Sequence, residues 1–370
     1  MNRFPTVSVL LLAVFTGCSN APSSTTNSDT TNSEKDTQPI VVADDADAIA
    51  VLKAAGATFQ MHKNGAVSEV NLRKGTMNDT VPPALLALNH VTSVLFNDSA
   101  VTDEHLASLS TWKSPVVNFD LRGCSVGNDG LIALTKLKTL KAIRLNESAE
   151  DVDDDGVVAL AALPKLKVLA LDGLWIGDDS VAAFANSKTL EELYLKSTNI
   201  SDDALKVLGK IPSLKKLRLA TNGITDEGLP FLSDLPNLVE LDLSENSSLS
   251  NSGMEALSSI KTLQKLNLWR LPIGDNGILR LQSLRNLVWL NLDNTQLSNA
   301  GLDVLRDMNR LTFLHLGSTA ISNEGLTKLT HLKTLKDLKL TRTAVTEAAA
   351  AKLAIELPDT DIQLLYLEGQ

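Results

Sequence analysis

The acidic stretch DVDDDG at residues 151–156 holds the side chains whose spacing could most directly bind an ion. Aspartates at alternating positions before a glycine are typical of a calcium loop, in which carboxylate oxygens are the ligands. Such a loop ends in a glutamate at its twelfth position, and this sequence has Ala162 there. The alternative is a helix start whose acidic residues face the positive end of the helix dipole. The missing glutamate favours the helix start.

The remaining residues offer no catalytic arrangement. The five histidines are not spaced as an HExxH pair or as another set of metal ligands, and no phosphate-binding glycine loop is present. Two cysteines, Cys18 and Cys124, are too few for a disulfide framework. We therefore predict a non-enzymatic chain without a cofactor or a metal, and an enzyme remains the alternative.

The N-terminus has the composition of a processing segment. MNR supplies one positive charge, and FPTVSVLLLAVF supplies an apolar run shorter than the about 20 residues that span a bilayer. The following FTGCSN resembles a bacterial lipoprotein signal, since Thr16 and Gly17 precede Cys18. The resemblance implies that residues 1–17 are removed and that Cys18 is lipidated. It also implies export to the cell envelope, with Ser19 favouring the outer membrane. An ordinary secretory signal is the alternative.

The segment after Cys18 has too little apolar surface to fold. Ten of residues 19–39 are Ser or Thr, and the only aliphatic side chain is that of Ala21. Such a composition cannot offset the entropy lost on ordering. We predict that residues 18–39 are a disordered tether that holds the folded part away from a membrane.

The charge of the chain excludes one class of partner. Its formal net charge is −10 and its sequence pI is near 5.1. A general nucleic-acid binder needs clustered Lys and Arg to displace the counterions of the phosphates. We therefore expect no nucleic-acid partner.

One hexapeptide pattern, LxxLxL, recurs through the rest of the chain. Its clearest copies start at Leu166, Leu190, Leu214, Leu238, Leu263, Leu287, Leu311 and Leu335, 24 or 25 residues apart. Weaker copies start at Val67, Val91, Val116 and Leu140, and a last one, IQLLYL, starts at Ile362. A fixed period of this length indicates a repeat architecture. The full unit is LxxLxLxxTxIsDxGLxxLxxLpx.

Each part of this unit has a physical role. LxxLxL is a short strand whose fourth and sixth residues point into a core. The polar ninth residue, such as Thr198, can bond the backbone where the chain turns. In SDDAL (201–205), TDEGL (225–229) and SNEGL (322–326), a Ser or Thr N-cap and acidic residues begin a helix. Cys124 is the ninth residue of its unit, and we predict a buried structural thiol.

The unit resembles the leucine-rich repeat family, and among bacterial proteins the internalin-like and TDxGL-containing kinds. The resemblance implies an α/β solenoid of about 13 repeats, curved into an arc with a parallel sheet on its concave face and helices on its convex face. We place the repeats at residues 67–346. Residues 40–66 would form an N-terminal cap of a helix and a hairpin strand, the hairpin spanning 58–72 with a type I′ turn at Asn64-Gly65. Residues 347–370 would form a C-terminal cap with the last strand.

The third, fifth and seventh positions of each unit would form columns on the concave face. They are mostly polar or charged, but between Leu263 and Leu316 aromatic residues occupy them. Trp289 and Phe313 should lie one strand spacing apart. We predict a ligand-binding patch, because aromatic anchors on a rigid face dominate interfaces. Its residues are Trp269, Arg270, Trp289, Asp293, Phe313 and His315. The alternative is a packing ladder that only shields the backbone.

The sequence as a whole favours an interaction protein. The first hypothesis is a monomeric, lipid-anchored envelope protein whose concave face binds a protein. The second is an envelope carbohydrate binder that uses Trp269, Trp289 and Phe313. A purely structural role in the envelope is a third possibility, since the fold does not decide among them.

Overall fold

The computed structural model describes residues 44–365. The predicted signal peptide, lipidation site Cys18 and tether lie outside the described residues. Within residues 44–365, no helix is long and apolar enough to cross a membrane.

The described chain begins with the predicted helix and hairpin. Helix α1 spans Ala46–Ala54, and the Asp45 carboxylate caps it by accepting the Asp47 N–H at 2.9 Å. Strands β1, Thr58–Met61, and β2, Val67–Asn71, then pair antiparallel. Together they close one end of the sheet.

The turn of this hairpin differs from the predicted type I′. The Gly65 N–H donates to the His62 carbonyl at 2.9 Å, and Gly65, but not Asn64, has a positive φ, of 84°. A type I′ turn needs a positive φ at both central residues, so that prediction was wrong. The connection is longer than two residues, and glycine takes its single left-handed position while the Asn64 side chain accepts the Ala66 N–H at 3.1 Å.

The strands of residues 44–365 form one open sheet of 14 strands in chain order, and all neighbours from β2 onward are parallel. The 13 strands from β2 to β14 correspond to the 13 repeat units. The later strands are β3 Ser93–Leu95, β4 Asn118–Asp120, β5 Ala142–Leu145, β6 Val168–Leu171, β7 Glu192–Tyr194, β8 Lys216–Arg218, β9 Glu240–Asp242, β10 Lys265–Asn267, β11 Trp289–Asn291, β12 Phe313–His315, β13 Asp337–Lys339 and β14 Asp361–Gln363.

Helical segments alternate with these strands. The α-helices are α2 Val81–Leu86, α3 Asp103–Leu109, α4 Asn128–Leu134, α5 Asp154–Ala159, α6 Asp178–Ala182, α7 Asp202–Leu208, α8 Met254–Leu257, α9 Asp275–Ile278 and α10 Glu347–Glu356. The 3₁₀ segments are Leu160–Ala162, Leu229–Leu232, Leu279–Ser283, Gly301–Asp307 and Gly325–Leu329. TDEGL and SNEGL thus lead into 3₁₀ rather than α-helix. A 3₁₀ turn advances about 2.0 Å per residue, so a short repeat spans the same distance with fewer residues.

The register keeps equivalent residues side by side. Leu290 pairs with Leu266 on one side and with Leu314 on the other, and all three are buried. Each such leucine contributes about 1.5–3 kcal/mol relative to exposure. A slip of one residue would turn these leucines to solvent, so the core fixes which side chains reach the opposite face.

The last strand was predicted in the wrong register. Ile362 pairs with Leu338, so it holds the fourth position of its unit rather than the first. The 24-residue spacing from Leu338 continues here although the letters IQLLYL suggest a new start. Leu357, buried at the end of α10, supplies the apolar contact before the strand.

An aspartate or asparagine near the start of the helical segment joins one repeat to the next. The Asp178 carboxylate accepts the Ser201 N–H at 2.8 Å, and the Asp202 carboxylate accepts the Thr225 N–H at 2.9 Å. The same bond recurs from Asp103 to Asn323, with Asp or Asn as the acceptor. These side chains therefore satisfy backbone donors of the neighbouring unit in addition to facing the helix dipole.

Candidate functional site

The parallel register of β11 and β12 brings two aromatic rings together on the sheet face. Trp289 pairs with Phe313, their ring centroids are 4.9 Å apart, and their planes differ by 6°. Both side chains are half-buried. Alternation along each strand sends the flanking leucines to the core and these rings to the opposite face. We call this pair the aromatic stack.

His315 extends the stack along β12. Its ring meets the Phe313 ring edge-on, with centroids 6.4 Å apart and planes at 78°. On β13, the Lys339 ammonium lies 5.7 Å from the Phe313 centroid, within the range of a cation–π contact. Phe313 therefore touches an aromatic ring, an imidazole and a cation at once.

Trp269 and Arg270 form a separate pair. The Arg270 guanidinium carbon lies 5.4 Å from the Trp269 ring, and its nitrogen is 2.8 Å from the Glu245 carboxylate. Among the described residues, no ring contact joins Trp269 to the aromatic stack. The six predicted patch residues thus do not form one cluster. Trp269 and Arg270 form one group, and Trp289, Phe313 and His315 are in contact in the other.

Asp293 lies beside His315 on the face. Its Oδ1 atom is 3.9 Å from His315 Nε2, too far for a hydrogen bond. Neither atom has a hydrogen-bond partner among the described residues, and both atoms are buried. Burial of the ring lowers the pKa of His315, the Asp293 carboxylate opposes this, and Lys339 lowers the pKa further. The imidazole is therefore neutral near pH 7.

Two residues of this cluster escaped the sequence prediction. Thr341 Oγ1 is also buried and has no hydrogen-bond partner within residues 44–365, and a Cβ on Gly317 would lie 2.6 Å from it. The same Cβ would lie 2.8 Å from both Asp293 Oδ1 and His315 Nε2. Asp293, Gly317 and Thr341 are spaced 24 residues apart. That spacing was visible in the sequence, but nothing there showed that the three polar atoms meet at the glycine.

The charged columns of the middle repeats neutralise themselves. Lys216 pairs with Glu192 at 2.9 Å across adjacent strands, and Arg218 pairs with Asp172 at 2.8 Å. The Tyr194 hydroxyl donates to Glu192 at 2.7 Å, and burial together with this bond raises the pKa of Tyr194. This part of the face therefore offers few unpaired charges to a ligand.

The DVDDDG stretch is a helix start. Asp153 caps α5 by accepting the Asp155 N–H at 3.0 Å, and Asp154 accepts the Gly177 N–H of the next repeat at 2.8 Å. Within residues 44–365, no group of three His, Cys, Asp or Glu side chains could hold a metal ion. Asp153 and Asp154 of this stretch thus have structural partners.

Residues 123–127, GCSVG, have the GxSxG spacing of a hydrolase nucleophile turn. Ser125 is exposed in the connection after β4, and no hydrogen bond joins it to a histidine among the described residues. Cys124 is buried as predicted, and its thiol donates to the Phe96 carbonyl at 3.3 Å. The spacing is therefore incidental to a structural turn.

Comparisons with known proteins agree with this geometry. The model of the Leucine Rich repeat family matches residues 186–209, 210–233, 234–258 and 309–329. The fold is a leucine-rich repeat solenoid. An internalin (inlF) of Listeria monocytogenes has a similar structure, with a TM-score of 0.57 and 19% identity over 87% of this chain and 94% of that one.

A second internalin (inlC2) of Listeria monocytogenes aligns with a TM-score of 0.46 and 24% identity, over 61% of this chain and 93% of that one. The curated proteins contain no match to this sequence. At these identities, the similarity to solved structures concerns the fold alone.

Proposed function

We propose that this chain is a non-enzymatic, lipid-anchored envelope protein that binds a protein partner through the face of its sheet. The aromatic stack of Trp289 and Phe313 is the observation that carries the proposal. Two large rings on neighbouring short strands form a rigid anchor that loses little side-chain entropy on binding. Aromatic residues in such positions supply much of the energy of protein interfaces.

The surroundings of the stack support the same function. The charged side chains of the middle repeats pair with one another across strands, whereas Asp293 and His315 each have a polar atom beside the stack without a hydrogen-bond partner in the described part of the chain. Paired charges contribute little net affinity when they must be desolvated. The partner is therefore expected to contact the last repeats, where aromatic surface is available.

The proposed lipid anchor is inferred from the sequence before residue 40. Cys18 follows an apolar segment with the pattern of a lipoprotein signal, and the Ser/Thr-rich residues 18–39 would let the solenoid stand off from the bilayer. We propose that the mature chain is an exported monomer at the outer membrane. Internalin-like folds suit such display, because a solenoid presents a long surface to a partner.

A carbohydrate ligand is the second candidate. Trp289 and Phe313 are half-buried rings on neighbouring strands, half-buried Trp269 follows β10, and aromatic faces also stack on sugars. Free saccharide should then displace the bound ligand, whereas it should not displace a protein partner. A structural role without a discrete ligand would show neither effect.

The test is affinity capture from detergent-solubilised envelopes with the tagged full chain. The variant carries Trp289→Ser and Phe313→Ser. The matched control is Trp175→Ser, because Trp175 is 80% exposed and belongs to the connection between β6 and α6. We expect a protein that the wild type and Trp175→Ser recover and the double variant loses. Equal recovery by all three would contradict the proposal. Thermal melting of each variant confirms that it is folded.

A further inference from the structure

The aromatic stack continues directly into two acidic residues. Phe313 pairs in register with Asp337 on β13, and Asp337 pairs with Asp361 on β14. All four side chains, from Trp289 to Asp361, hold the third position of their units and point to the same face. Two rings and two carboxylates therefore stand in one row, on four consecutive strands.

The two aspartates are not neutralised as the charges of this column on β7 to β10 are. Asp337 and Asp361 are exposed, and neither has an ion pair among the described residues. By contrast, Lys216 pairs with Glu192 at 2.9 Å, and Lys265 pairs with Glu240 at 3.5 Å. Like charges directly opposite on paired strands are destabilising, so a stabilising role within the chain does not account for this pair.

Other charges near Phe313 leave the row acidic. Asp293 is 6% exposed and its Oδ1 has no partner among residues 44–365. Lys339 is the one lysine or arginine at the third and fifth positions of β11 to β14. With Asp293 at the seventh position, these strands present three carboxylates and one ammonium on this face, and His315 adds no charge because it is neutral. The Lys339 ammonium lies 5.7 Å from the Phe313 centroid, so a cation is already held beside this ring.

We infer that the row from Trp289 to Asp361 binds a basic, arginine-bearing segment of the protein partner. An arginine side chain stacks on aromatic faces and pairs with carboxylates through its planar fork, so one residue type matches both halves of the row. The acidic residues would set the charge of the partner, and the stack would supply the anchor. This inference rests on the proposed function and names the chemistry of its partner.

The test uses the full chain in neutral detergent and a labelled hexa-arginine peptide, with fluorescence anisotropy as the readout. Asp337→Asn with Asp361→Asn should weaken binding about tenfold, as expected for the loss of one charge-assisted hydrogen bond. Asp129→Asn with Asp179→Asn is the matched control, because it removes two exposed charges from α4 and α6. The control should bind the peptide like the wild type.

Two results would overturn the inference. One is equal weakening by both double variants, which would show a general effect of net charge. The other is binding of hexa-glutamate or of a saccharide in place of hexa-arginine. Hexa-lysine should bind less tightly than hexa-arginine, since it lacks the stacking fork. Both asparagine substitutions are on exposed side chains, so each variant should fold.

The inference and the proposed function can fail separately. One outcome is that partner capture is lost with Trp289→Ser and Phe313→Ser but retained with Asp337→Asn and Asp361→Asn. That result would support the interface and contradict the basic character of its partner. If capture does not depend on the aromatic stack, the proposed function itself fails. Raising the salt concentration should weaken capture only if the acidic pair takes part.

Discussion

Trp289 and Phe313 stack across β11 and β12 with centroids 4.9 Å apart and planes within 6°. Adjacent parallel strands are about 4.8 Å apart, so the rings take the spacing of the sheet itself. No bend of the backbone is needed to bring them together. The stack therefore follows from the repeat register, and either ring can be replaced by another side chain without changing the strands.

The stack should couple the stabilities of its two residues. In a double-mutant cycle of Trp289→Leu and Phe313→Leu, we expect a coupling free energy of about 0.5–1.5 kcal/mol, as for other aromatic pairs. Urea unfolding of the four proteins measures it. Val168 and Glu192 pair at the same position on β6 and β7 and neither side chain is aromatic, so a cycle on them is the control. Additive effects at Trp289 and Phe313 would argue against a stabilising stack.

The repeat period predicted most of this arrangement. LVWLNL and LTFLHL start at equivalent positions 24 residues apart, and that spacing alone places Trp289 beside Phe313. The same argument explains the error at Ile362, where the letters of a local pattern were preferred to the period. The place of Thr341 in the polar cluster could not be predicted from the repeat. Polar atoms of Asp293, His315 and Thr341 come together at Gly317 only in particular side-chain conformations, which the sequence pattern does not specify.

The bonds between repeats show a second limit of sequence reasoning. The acidic residues at helix starts suggest an interaction with the helix dipole, a local effect within one unit. In the structure, the side chains of these residues accept hydrogen bonds from backbone N–H groups 23 or 24 residues further along the chain, as in the bond from the Ser201 N–H to Asp178. The period was known, but the direction of the Asp178 side chain toward the next unit was not.

Removing one of these links should weaken the solenoid. Asp202 accepts the Thr225 N–H at 2.9 Å and its hydroxyl at 2.6 Å. Asp202→Ala leaves both donors without this acceptor, and we expect the free energy of unfolding to fall by about 1–3 kcal/mol. Asp203→Ala is the matched control, because the neighbouring Asp203 makes only an exposed ion pair with Lys206 and should matter little. Urea denaturation compares them, and equal midpoints would refute the structural role of Asp202.

The stability of the last repeats should depend on the charge of His315. Burial holds the pKa of this imidazole below its ordinary value, so the folded state binds the proton less readily than the unfolded state. The contribution of His315 is then fully present above the ordinary histidine pKa of about 6.5 and is lost as the pH falls through the lower folded-state value. Unfolding free energy should therefore decrease on acidification over this range.

His315→Gln isolates that effect from the other histidines. The variant should lose part of the pH dependence of unfolding that the wild type shows below about pH 6.5. His331→Gln is the control, since His331 bonds the Leu305 carbonyl at 3.0 Å on the helical side of its repeat. Urea titrations at several pH values measure the difference. If the wild type and His315→Gln gave parallel curves, protonation of His315 would have no part in stability.

The proposed anchor makes a prediction about fractionation. Cys18→Ala removes the thiol that a lipid would occupy, so the chain should move from the membrane fraction to the soluble fraction. Cys124→Ala is the control, because that thiol is buried in the solenoid and its loss should leave the protein with the membranes. Fractionation followed by detection of the tagged chain decides the matter. Membrane association that survives Cys18→Ala would mean that the protein is held there by its partner or by its uncleaved N-terminal segment, and not by a lipid.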